Sequence, residues 1–207
     1  VRESLFASTG VSLNTYWREA SYGRTWALGD VLGWLTLDRP YGCEDSDEIR
    51  RAAIRAAGTS FNMQLYDRLV IILPALGGVC GWRTKATVGS SNFTGDPGRS
   101  YTASTMWIQM SPADTPDALK RMVIDAGGHN LGLMHSDSLD SAPLELGPAE
   151  NVGQIVELGD SYAAMGGAGM GHYSAPQKLR LGWLDPTDVL TLESSGTAHI
   201  APMTAPP

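Results

Sequence analysis

Asp125-Ala126-Gly127-Gly128-His129-Asn130-Leu131-Gly132-Leu133-Met134-His135-Ser136 is the stretch whose reading decides the fold of this chain. It closes a helical pattern running from Pro116 to Leu131, with Leu119, Met122, Val123 and Leu131 on the apolar side and Ser111 to Thr115 supplying the start. Asp125 precedes His129 by one helical turn, so both side chains can point at one ion. Gly132 can take the positive φ with which a chain leaves a helix, and His135 then comes back to the same place. Two imidazoles and a carboxylate brought together in this way are acceptable donors for a divalent cation.

Outward from this helix the pattern is α/β. Ser104 to Met110 reads as a strand with Met106, Ile108 and Met110 on one face. Leu69-Val70-Ile71-Ile72-Leu73, stopped by Pro74, is a continuous apolar run suited to a buried parallel strand. Ser46 opens a helix with Asp47 and Glu48 in its first turn, an Ile49/Ala53/Ala56/Ala57 stripe and Gly58 at its end, leaving Arg50, Arg51 and Arg55 to solvent. Trp26 to Leu37 alternates loosely and reads as a strand, as does a stretch within residues 1–24. Val79 to Trp82 and Asp188 to Leu192 are further strand candidates, and an edge strand is expected somewhere in residues 83–103. Residues 136–174 read mostly as loop, Pro176 begins a short helix with Leu179, Leu181 and Trp183 apolar, and His199 to Pro207 form a tail.

The totals exclude several classes. With 207 residues the chain can bury a full core as one domain, or as two subdomains sharing a cleft. A net charge of −7 argues against a nucleic-acid partner, and no apolar run is long enough to span a membrane. The start at Val1, without Met or a leader pattern, fits a trimmed, mature chain. Cys43 and Cys80 are too few for a metal site; they are either two separate thiols or one disulfide closing a loop, the pairing expected of a secreted chain.

In a zinc hydrolase the pattern around Asp125 to His135 would read H-E-x-x-H-x-x-G-x-x-H, with the Glu as general base. The segment from His129 to Ser136 resembles the gametolysin-type (autolysin) family of metzincin metallopeptidases. Gly159-Asp160-Ser161-Tyr162-Ala163-Ala164-Met165-Gly166 resembles that family's Met-turn region, and His172 to Leu184 is similar to the helix that follows it. Asn14-Thr15-Tyr16-Trp17 and Ala20-Ser21-Tyr22-Gly23 extend the likeness, which spans roughly residues 11–185.

The resemblance implies a metzincin fold: an upper subdomain of twisted mixed sheet and helices in residues 1–135, and a loop-rich lower subdomain with Met-turn, last helix and tail in residues 136–207. Carried over by position, the zinc ligands fall on Asp125, His129 and His135, the general base on Ala126, and the Met beneath the metal on Met165, with Met170 as second candidate. The first ligand is thus Asp instead of His, and the base is missing. Asp is shorter than His, and Gly127 and Gly128 would ease the backbone shift that a bound metal then needs. A missing general base costs about 10²–10⁴ in rate. Asp125, His172 and Glu157 are the substitutes on offer, and Asp137 and Asp140 the acids for a calcium loop. The expectation is an extracellular, monomeric zinc metalloendopeptidase-type domain, inactive or severely impaired, with a peptide or protein in its cleft. The alternative is a non-catalytic binding module built on that cleft.

Overall fold

Strand β4 (Ser100–Met110) is the axis of the sheet, and every residue from Ala103 to Gln109 is buried. Its period of two sends Met106 and Ile108 to one face and Trp107 to the other, so helices must cover both sides. Helix α4 (Pro116–Asn130) covers the first face with Leu119 and Val123, and helix α3 (Ser46–Ala57) the second with Ile49. Strand β1 (Arg68–Pro74) runs parallel to β4, with Arg68 opposite Ser104 and Pro74 opposite Met110. On its other edge β4 pairs antiparallel with β2 (Thr84–Ala86) and with β3 (Ser91–Thr94). The result is a mixed sheet in a mixed α/β fold, in a computed structural model that describes residues 1–75, 80–95, 98–141, 153–167 and 170–205.

Several elements follow the sequence reading. The apolar run Leu69–Leu73 is a parallel strand, though at the sheet's edge and only partly buried. Helix α3 ends at Gly58 with φ of 53°, a region glycine enters without penalty. Helix α5 (Ala175–Arg180) starts with Pro176 in its first turn and a capping box between Ser174 and Gln177. Cys43 and Cys80 form the disulfide, with Cα atoms 5.3 Å apart. No helix among the described residues is long and apolar enough to cross a membrane.

Other elements differ. The strand expected in residues 1–24 is replaced by two helices, α1 (Arg2–Phe6) and α2 (Leu13–Ala20). Leu13, Tyr16, Trp17 and Ala20 are all buried, a helical spacing that the scattered aromatics disguised, and a Ser12/Thr15 capping box fixes the start. Trp26 to Leu37 form no strand: the segment lies against the β1 side but joins no ladder, and Leu28 and Trp34 are largely exposed. Cys80 to Trp82 are likewise irregular, and the strand comes later, at β2 (Val79 and the Gly77-Gly78 turn lie outside the described residues). Asp188 to Leu192 find no partner either; Asp185 caps a single 3-10 turn at Pro186–Asp188 and the following leucines stay exposed. Arg50 is buried rather than solvated, its guanidinium 4.0 Å from the Phe93 ring centroid. The stretch read as mostly loop adds a short antiparallel pair, β5 (Ser138–Asp140) with β6 (Gln154–Val156).

Candidate metal centre

Helix α4 carries the site and is held at both ends. Thr115 caps it, its Oγ1 accepting from the Ala118 N–H at 3.2 Å, and Pro116 occupies the first turn. At the far end the Leu133 N–H donates to the Gly128 carbonyl (3.0 Å) and the Gly132 N–H to the His129 carbonyl (2.8 Å). With Gly132 at φ of 92° this is a Schellman ending, and it turns the chain back towards its own last helical turn.

That turn brings the sequence-named donors together. One ligand atom each from Asp125, His129 and His135 lie within 4.8 Å of one another, and all three residues are half-buried. The two imidazoles meet edge-on with centroids 4.9 Å apart. Both are oriented through Nδ1: that of His129 lies 2.9 Å from the Leu133 carbonyl oxygen, and that of His135 lies 2.9 Å from Glu157 Oε1. Carbonyl and carboxylate oxygens only accept, so Nδ1 carries the proton in each neutral ring and Nε2 keeps its lone pair. A ligand histidine fixed through its other nitrogen is the usual outer-shell arrangement of a metal site. The Asp125 carboxylate has no hydrogen-bond donor among the described residues; burial pushes its pKa above the ordinary value, and His129 and His135 pull it back.

The floor is Met165, fully buried beneath the helix. A Cβ on Gly128 would run into Met165 Sδ and lie 2.9 Å from Tyr173 Cε1, and one on Gly127 would lie 2.8 Å from the Trp17 ring. The two glycines are therefore spacers that let α4 sit down on its floor, which is a different job from loosening the backbone. The Met165 turn is pinned by the Ser136 N–H to the Met165 carbonyl (2.9 Å), by the Gly166 N–H to the Ala163 carbonyl (3.0 Å), and by Asp160 Oδ1, which accepts from Tyr162 and Ala163 N–H. Below, the Tyr173 hydroxyl donates to the Ile124 carbonyl (2.8 Å) and accepts from Trp17 Nε1 (3.2 Å), tying α2 to the site. Met170, the second candidate, is over one-third exposed.

No proton acceptor occupies the base position. Ala126 is fully buried in the core. Glu157 is engaged with His135, and His172 is held between Glu19 (3.1 Å from Nε2) and Lys178 (2.9 Å from Nδ1). Asp137 accepts from the Leu158 N–H, and among the described residues the Asp125–His129–His135 group is the one cluster of three donors. Sequence reasoning named Glu157 and His172 only as stand-in bases. It missed Lys178 altogether, a completely buried ammonium donating to Tyr22 Oη (3.1 Å) and the Met203 carbonyl (2.8 Å); a lysine in a short helix gives no signal of that.

Models of known protein families, characterised proteins and solved structures offer no match to this chain. What fold and site define is a mixed α/β protein with a group of one carboxylate and two imidazoles that could hold a metal ion.

Proposed function

We propose that this chain is a metzincin-like, zinc-binding domain of the gametolysin type that holds a peptide or protein segment and hydrolyses it poorly or not at all. The observation that carries the reading is the shared orientation of His129 and His135, each committed through Nδ1, beside an Asp125 carboxylate without a hydrogen-bond donor among the described residues. Tetrahedral bonds of about 2.0–2.1 Å place donor atoms roughly 3.3 Å apart, so the side chains close by at most about 1.5 Å around an ion. When bound, zinc supplies Lewis acidity and a more acidic water. The chain's own residues then fall short, because Ala126 offers nothing to take that water's proton. The disulfide fits an oxidising, extracellular setting.

Elemental analysis of protein purified without chelators tests the reading. About one zinc per chain, lost in His129→Ala and His135→Ala, supports it; no zinc even after incubation with excess metal overturns it. Peptide hydrolysis by the Asp125→His/Ala126→Glu variant then separates the two uses of the cleft. Recovery marks a peptidase scaffold; none, in a folded and zinc-loaded variant, marks a cleft remodelled for binding.

A further inference from the structure

A cavity of about 790 Å³ lies away from the metal donors, between the outer side of β1, the apolar face of α3 and the irregular segment of residues 26–41. That volume is within the ordinary range of about 300–1,000 Å³ for small-molecule sites. Its lining is mainly aliphatic and aromatic, with Val70 and Ile72 from one face of β1, Leu69 from the other, and Trp26 and Leu35 from the irregular segment. Four charged residues also line it, and three are accounted for or open to water. Asp30 accepts from the Tyr66 hydroxyl at 2.6 Å, Arg39 stacks 4.1 Å over Tyr41, and Asp67 is exposed.

Arg68 stands apart by its burial, and among the described carboxylates only the neighbouring Asp67 acts on its charge. Its guanidinium lies 5.1 Å from the Trp17 ring centroid, its Nε is buried with no hydrogen-bond partner, and no carboxylate among the described residues comes within ion-pair distance of it. A half-buried cation without an ion-pair partner favours an anion, and the fork of N–H groups at the end of its planar guanidinium matches a carboxylate. A single negative charge suits the site better than two, since Asp67 and Asp30 stand nearby and the chain carries −7 overall.

We propose that this cavity binds a long-chain monocarboxylate, its head on Arg68 and its unbranched apolar tail between β1 and residues 26–37. The segment's lack of a hydrogen-bond ladder has a role in this arrangement: a strand paired to the free edge of β1 would fill the space that the tail occupies. Trp26 and Leu35 instead form its outer wall.

Tryptophan fluorescence of the wild-type chain, titrated with decanoate, dodecanoate and tetradecanoate below their micellar concentrations, reads the binding, because Trp17, Trp26 and Trp34 all line the cavity. The expected result is saturable binding that tightens about tenfold for each two added methylenes. Dodecanoate is expected to bind at least about tenfold tighter than methyl dodecanoate, and Arg68→Met to remove that preference while leaving the ester's affinity in place. Absence of saturable binding, equal affinity for acid and ester, or a preference that survives in Arg68→Met overturns the proposal. Should Arg68→Met not fold, the acid-to-ester ratio of the wild-type protein decides alone. Hydrogen exchange adds a further check: protection of residues 26–37 in the ligand-free chain, as a strand paired to β1 would show, also overturns it.

Discussion

Replacing Gly128 by alanine tests whether α4 rests on Met165 as closely as the geometry says. In an open helix interior the change stabilises by about 0.8–1.0 kcal/mol, through the lower entropy cost of alanine. Here the new methyl meets Met165 Sδ and the Tyr173 ring, both fully buried. Overpacking of this kind costs about 1–3 kcal/mol, so the net effect is a loss of about 0–2 kcal/mol. Met165→Ala alone costs about 2–5 kcal/mol as a buried Met truncation. With Met165 gone, the methyl at 128 fills part of the vacated space, and Gly128→Ala becomes neutral or stabilising. Urea unfolding of the two single variants and the double variant reads the cycle, and a coupling of about 1–3 kcal/mol in favour of the double is expected. Additivity within about 0.5 kcal/mol, together with a stabilised Gly128→Ala, would refute the contact and with it the account of both glycines as spacers.

Three more outcomes follow from the same geometry. Glu157→Gln keeps an acceptor for His135 but loses the charge, so zinc affinity measured against a chromophoric chelator falls about 10–100-fold, while stability moves by less than about 0.5 kcal/mol because Glu157 is exposed. Burial holds the Lys178 ammonium down to about 8, against an unfolded value of 10.5, so between these pH values the unfolded chain binds the extra proton and stability rises with pH. Above about pH 10 the Tyr16 and Tyr173 hydroxyls, both raised by burial, act in the opposite sense; Tm is therefore expected to climb from pH 8 to about 9.5, with a flatter profile in Lys178→Met. Cys43→Ser/Cys80→Ser opens a loop of 37 residues and lowers unfolding free energy by about 3–4 kcal/mol in chemical denaturation.

The parts of this molecule that were readable in its sequence are those whose cause is local. Helix α4, its Thr115 start, the Gly132 exit and the Asp125/His129/His135 donors depend on residues within a few turns of each other, and each carries a recognisable spacing. The apolar run of β1 was legible for the same reason. Most of what failed depended on partners far along the chain; helix α2 is the exception, since its Ser12/Thr15 capping box and Leu13/Tyr16/Trp17/Ala20 spacing are local. Trp26 to Leu37 have the composition of a strand, but a strand exists only where another edge accepts it, and none pairs with this segment. Arg50 sits under Phe93, and Lys178 beneath Tyr22 and the Met203 carbonyl; neither contact is encoded near the residue that makes it. The orienting role of Glu157 was hidden similarly, 22 residues from the histidine it serves.

All three donors of the metal group fall within a single run of eleven residues, from Asp125 to His135. The donors of a site so local in the chain stay close along the sequence when the chain unfolds, although the orientation given by Glu157 is lost. If the group binds an ion as proposed, a denatured chain that retains a transient turn at this run still offers two imidazoles and a carboxylate to it, and the metal then has some affinity for the unfolded state as well as the native one. Loading therefore raises Tm by less than the native affinity alone dictates. In exchange, the ion can be captured before the sheet closes, and the last turn of α4 can form around it while Met165 is still far away.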